Sequence, residues 1–246
     1  MLQHSLAILI IAVTHYVGGI ATFGSSFLAV PLLLLVYGPE QLDRVVLVMI
    51  AVGALQAYLI CWRTRRDVVR PVLLAMLLGA GAGIPIGVYG LNYLPAAMAM
   101  PLIGALILVA GALNLREAVA SSHRHRPALT VLASMGAGIV HGAFASGGTV
   151  LVAYCQRVLS DKTAFRATLA MFWSCTNTAF LAGLFAMGSI GETELALSAL
   201  AGAIALPVTW LADMTARRLN RRQFRVGVCV LLMFSGAALL LREGFQ

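Results

Sequence analysis

The stretch Gly18-Gly19-Ile20-Ala21-Thr22-Phe23-Gly24-Ser25-Ser26 sets glycines beside hydroxyls in the middle of an apolar run over 5–37. A second stretch of the same kind, His141 to Thr149 (HGAFASGGT), lies inside the run 128–156. Together these residue types suit the binding of a small anion. Hydroxyls donate hydrogen bonds, and a helix that starts beside glycines offers unpaired N–H groups and the positive end of its dipole. Thr22, Gly24, Ser25 and Ser26 are the candidates in the first stretch, with Ser25 and Ser26 expected at the N-cap of a returning helical arm. His141, Ser146, Gly147, Gly148 and Thr149 are the candidates in the second, with Ser146 or Thr149 expected to cap the return. A polar cluster, Trp173 to Thr178 (WSCTNT), adds Asn177, and Gln56 is its counterpart in the first half. His15 and His141 are the candidate proton carriers within the apolar segments. Arg44 and Arg166 each precede an apolar segment and either draw anions inward or extend to the membrane interface. The competing reading of each glycine stretch is close helix packing, and that of the polar cluster is hydrogen bonding between helices.

The elements that must hold these residues follow from composition. Hydrophobic residues make up 61% of the chain and charged residues only 11%, with a mean hydropathy of +0.93; soluble domains carry about a quarter of charged residues. The class is therefore a polytopic membrane protein. The start MLQHSLAILI has no basic n-region, so a cleaved signal peptide is not expected. Cys61, Cys155, Cys175 and Cys229 have no paired spacing and no adjoining histidine or carboxylate cluster. They suggest neither a metal site nor a disulfide framework. No acidic residue falls in the middle of an apolar segment, which argues against a cation held by carboxylates. No Walker-type glycine loop is present, and no cofactor is expected.

The net charge of +8 resides in short loops: Arg63 to Arg70, Arg116 to Arg126, Arg157 to Arg166 and Arg217 to Arg225. These loops read as cytoplasmic, not as a nucleic-acid surface. The apolar segments are 5–37, 45–62, 71–92, 97–115, 128–156, 167–188, 194–214 and 224–241. Were all eight simple crossings, the arginine loops at 63–70 and 217–225 would lie on opposite sides. The charge rule is met if 128–156 enters and leaves on one side as a hairpin. The run 5–37, too long for one crossing, is expected to break in the same way.

Residues 23–30 (FGSSFLAV) align with 146–153 (SGGTVLVA), Arg44 with Arg166, and Pro85 with Pro207, at an offset close to half the chain. The expected fold is thus all-α, with two inverted repeats, each a broken hairpin followed by three transmembrane helices. The first repeat covers 1–123, with hairpin 5–37 and spans 45–62, 71–92 and 97–115. The second covers 124–246, with hairpin 128–156 and spans 167–188, 194–214 and 224–241. The two hairpin tips are expected to meet near the midplane as one donor-rich site.

The stretches GSSFLAVPLLLLVYG at 24–38 and SGGTVLVAY at 146–154, the arginine-led spans at Arg44 and at RATLAMFWS (166–174), and the Pro85 segment together resemble the TauE/SafE sulfite exporter family of permeases. Ser25 and Ser26 stand where that family usually has glycines, and the second stretch ends in Ala153-Tyr154 instead of Val-Pro. The resemblance implies a multi-pass permease of the bacterial inner membrane that carries sulfite, a sulfonate or a related small anion, with export as the expected direction. Its partners would be the anion and the bilayer, and homodimerisation is left open. The rival readings are a carrier for another small anion such as a carboxylate, an anion channel, and an intramembrane hydrolase using Ser25 or Ser26 with His15 or His141. The hydrolase requires a Ser–His hydrogen bond.

Overall fold

The computed structural model describes residues 2–90, 126–144, 148–159 and 161–242, with isolated positions between 105 and 115. The expected span 97–115 falls almost wholly outside them. Among the described residues the regular structure is helical: α1 (Leu2–Ala21), α2 (Ser25–Tyr37), α3 (Leu42–Thr64), α4 (Arg70–Gly90), α5 (Pro127–Phe144), α6 (Gly148–Val158), α7 (Lys162–Ala186), α8 (Glu192–Arg218) and α9 (Arg221–Arg242). Five of these are long and apolar enough to cross a membrane, and with the composition they make the chain a polytopic membrane protein. Large apolar side chains such as Leu35, Trp62, Leu78 and Leu200 are exposed, as expected of surfaces that face lipid.

Both overlong runs are broken. The run 5–37 divides into α1 and α2, and 128–156 into α5 and α6. The first break is local backbone chemistry. Thr22 has φ 65° and Gly24 φ 88°, both left-handed, which ends α1 and turns the chain into α2. Gly24 adopts this freely, whereas the β-branched Thr22 does so at a cost of roughly 1–3 kcal/mol. A Cβ on Gly18 would lie 2.6 Å from Ser25 Cβ, so glycine there lets the start of α2 fold back against α1.

The chain forms two compact units. The first comprises residues 1–66 and 169–218, and the second 67–168 and 219–246. Each unit mixes the two halves of the sequence. In the first, α1 packs on α2 and on α8, α3 also packs on α8, and Ala29, Leu33, Met49, Val52, Ala201 and Ala205 form part of a shared core. In the second, α5 packs on α4 and α6. A Cβ on Gly79 or Gly83 of α4 would run into α5 backbone at Val131 and Met135, and one on Gly138 of α5 would meet Ala80 at 3.0 Å. The four-residue spacing of Gly79 and Gly83 is the small-residue stripe by which membrane helices approach closely. A Cβ on Gly81 would meet nothing within 4 Å, so this glycine takes no part in the contact. Pro85 and Pro207 both lie inside helices, α4 and α8.

Candidate functional site

The polar interior of the first unit gathers around the break between α1 and α2. Thr22 is 4% exposed, and its hydroxyl is buried without a partner among the described residues. Leaving a hydroxyl in that condition costs about 1–3 kcal/mol, and here it coincides with backbone strain. Gly24 is the N-cap of α2, makes no side-chain cap, and accepts from Leu28 N–H at 3.0 Å. Ser25 and Ser26 are therefore the first two helical residues, not the cap expected from the sequence. The reason is that Gly24 takes the left-handed conformation itself and the helix begins directly after it. Ser25 is buried, and the Ser26 hydroxyl donates to Met49 O of α3 at 3.3 Å.

Gly53, one turn further along α3, has Ser26 Oγ and Asn177 Nδ2 each 3.5 Å from where a Cβ would stand. Residues from α2, α3 and α7 thus form a small cradle over a bare stretch of backbone. Of the expected site residues, Thr22, Gly24, Ser25, Ser26, Asn177, Gln56, His15 and Arg44 lie in this unit.

Gln56 and His15 tie the same region together. Gln56 Nε2 donates to His15 O at 2.8 Å and to Thr209 Oγ1 at 2.9 Å, which uses both amide hydrogens. His15 is fully buried, and its Nδ1 lies 2.9 Å from Ile11 O. A carbonyl only accepts, so Nδ1 carries the hydrogen and Nε2 of the neutral ring is an acceptor, with no partner among the described residues. A Cβ on Gly19 would stand 2.7 Å from Ala212 Cβ and 3.3 Å from Gln56 Nε2, so this glycine admits the network between α1, α3 and α8.

Arg44 is two and a half turns before Gly53 on α3, roughly 14 Å along the axis. There its Nε donates to Glu194 Oε1 at 3.0 Å and its Nη1 to Gln41 Oε1 at 3.0 Å, at an exposed helix end. In the second unit, Arg166 is buried near the start of α7, His141 is half-buried in the last turn of α5, and Gly148 opens α6, followed by Thr149. Ser146 and Gly147 lie outside the described residues. Gly53, Thr209 and the Met49 carbonyl were not foreseen. Nothing in the sequence signals them, because each matters through a contact with a distant segment.

Neither Ser25 nor Ser26 is hydrogen-bonded to a histidine among the described residues. A family model for the sulfite exporter TauE/SafE matches residues 6–239. The chain belongs to that family. Comparison with curated proteins and with solved structures gives no match. As a TauE/SafE member, the chain places its first glycine break where Thr22 and Ser25 are buried and the half-buried Ser26 and Asn177 meet over Gly53.

Proposed function

We propose that the chain is a secondary transporter that exports sulfite or an organosulfonate across the bacterial inner membrane, by alternating access and without chemical conversion of its cargo. The observation that carries this reading is Thr22: a β-branched residue in the left-handed region, with its hydroxyl buried and unpartnered among the described residues, in the turn that leads into a 13-residue helix. Strain and an unmet hydrogen bond together are a cost that a bound ligand can offset. A helix N-terminus favours an anion, and the first N–H groups of α2 have no partner within their own helix. Ser25, Ser26 and Asn177 add neutral donors, so a small oxyanion can exchange its water for protein groups without meeting a fixed positive charge that would trap it. Ser26 must turn from Met49 O to donate to cargo. His15, with Nε2 as a bare acceptor, is the proton-coupling candidate in this unit.

Inverted repeats are supported by an exchange of elements. The first hairpin arm, α1, packs on α8, which holds Pro207; the arm of the other hairpin, α5, packs on α4, which holds Pro85. Each hairpin thus uses the proline-containing span of the opposite half. By that symmetry Ser146 to Thr149 would do in the second repeat what Thr22 to Ser26 do in the first.

The test is flux of labelled sulfite into proteoliposomes, competed by taurine, sulfoacetate, sulfate and lactate, with and without a pH gradient. Saturable sulfite flux, blocked by sulfonates, supports the reading. Lactate flux without sulfite flux would replace it with a carboxylate carrier, and flux that never saturates would indicate a channel.

A further inference from the structure

The second unit contains a separate basic pocket, lined by Gln156 of α6, Leu159, Lys162 and Phe165 around the start of α7, and Arg221, Phe224 and Arg225 of α9. Its wall is an edge-to-face pair, Phe165 and Phe224, with ring centroids 5.7 Å apart. Two donors in it are buried and unsatisfied among the described residues: Arg225 Nε, on a side chain 9% exposed, and Gln156 Nε2, on one 3% exposed. Gln156 Oε1 is already engaged by the Cys229 thiol at 3.2 Å, so the amide nitrogen is the end left for a ligand. Lys162 Nζ donates to Leu219 O at 2.6 Å and pins the start of α7 to the segment that leads into α9.

The electrostatics of the two helix starts point the same way. The first turn of a helix favours acidic residues because its dipole is positive there. Yet α9 begins with Arg221, Arg222 and then Arg225, and α7 with Lys162 and Arg166, and neither has an acid in its first turn. The nearest carboxylate in sequence, Asp161, caps α7 by accepting from Ala164 N–H at 2.8 Å. Asn220 and Gln223 similarly cap α9 through reciprocal bonds at 2.8 and 3.0 Å. The α9 cap is neutral and the α7 cap is the single carboxylate Asp161, so the cations clustered at the two helix starts outnumber it and leave a positive site that an anion would stabilise.

We propose that this pocket binds a phosphate group, held by Arg221, Arg225, Lys162 and Gln156, at the end of the unit that the loop charges assign to the cytoplasm. The group comes from the headgroup of an anionic phospholipid or from free phosphate. Cation-rich pockets between spans on that side are where anionic headgroups settle. The site is independent of which anion the chain transports.

The experiment is thermal unfolding of the full chain in neutral detergent, with phosphatidylglycerol, phosphatidylcholine or inorganic phosphate added in turn. A ligand that binds only the folded state raises the midpoint. Stabilisation by phosphatidylglycerol but not phosphatidylcholine, with an apparent affinity weakened at least tenfold in Arg221→Gln, assigns a lipid site. Stabilisation by inorganic phosphate with the same loss assigns a free-phosphate site. Arg225→Lys, which keeps the charge but removes Nε, should weaken either ligand several-fold. Should that buried variant fail to fold, the exposed Arg221→Gln alone decides. No stabilisation of the parent protein, or equal stabilisation of parent and Arg221→Gln, overturns the proposal and leaves these arginines as determinants of orientation only.

Discussion

Gly53 and Asn177 face each other across the first unit, with the Asn177 amide nitrogen 3.5 Å from the place where a side chain on Gly53 would begin. Ser26 Oγ stands at the same 3.5 Å from that point, so one absent methyl group defines the floor between two donors. That distance is ordinary van der Waals contact, not collision, and the substitution is therefore a clean probe.

Gly53→Ala should leave the fold intact and raise the unfolding midpoint slightly, since alanine inside a helix is favoured over glycine by roughly 0.5–1 kcal/mol. The added methyl should raise the KM for the transported anion several-fold. Proteoliposome flux and thermal unfolding on one preparation would check both. An unchanged KM would remove Gly53 from the cargo site.

Gly18→Ala should behave in the opposite way. Its new Cβ would stand 2.6 Å from Ser25 Cβ and 2.8 Å from Ser25 N, both at the rigid start of α2. Overpacking of this kind costs about 1–3 kcal/mol. A lowered midpoint in detergent is expected, and a variant as stable as the parent protein would mean that α2 can shift away from α1 without penalty.

Thr22→Gly separates strain from function. Glycine accepts φ 65° freely and removes the unpartnered hydroxyl, so stability should hold or rise. If the hydroxyl donates to the anion, losing a hydrogen bond to charge weakens apparent affinity by roughly tenfold or more. A variant that is more stable and less able to bind is expected from paired flux and unfolding measurements. One that is destabilised with unaltered flux would show Thr22 to be purely structural.

Asp213→Asn tests the ion cluster at the other end of α8. The Asp213 carboxylate is only 1% exposed, and its Oδ2 accepts from Arg63 Nη1 at 3.2 Å and Arg217 Nε at 3.0 Å. Removing one member of a buried pair costs on the order of 3 kcal/mol. Arg217→Gln should cost far less, because that side chain is 56% exposed and its share is screened by solvent. Equal midpoints for the two variants would contradict this ordering.

Labelling of single cysteines placed in 37–44, 157–166 and 217–225 checks orientation. The last two segments should react from the same, cytoplasmic side and the first from the opposite one, as the loop charges require. Labelling of 157–166 and 217–225 from opposite faces would end the inverted arrangement.

Much of this architecture was legible in the sequence because it follows from local chemistry and from charge. Length and the glycines at 18, 19 and 24 placed the first break, and the arginine loops required the second, between Phe144 and Gly148. Helix pairings were not legible. Nothing in residues 2–21 says that α1 will pack on α8, and the small residues at the contact, Gly19 and Ala212, are two among many in so apolar a chain. The capping role expected of Ser25 and Ser26 failed for a local reason, since a glycine in the left-handed region ends the turn one residue earlier. Gln56, singled out as a polar residue in an apolar segment, proved to spend both amide hydrogens within the protein.

The interleaving of the two units has a consequence for biogenesis. The N-terminal hairpin leaves the ribosome first, but the helix that seals its polar network through Thr209 and Ala212 ends only at Arg218. Until then, Gln56 lacks one of its two acceptors and α1 has α2 but not α8 to pack on. Insertion of individual spans must therefore be followed by a late lateral assembly in the bilayer, the two-stage order in which helices first partition and then associate. A nascent chain arrested before α8 would expose an unfinished, polar-lined hairpin to lipid, the state that membrane quality-control proteases are suited to remove.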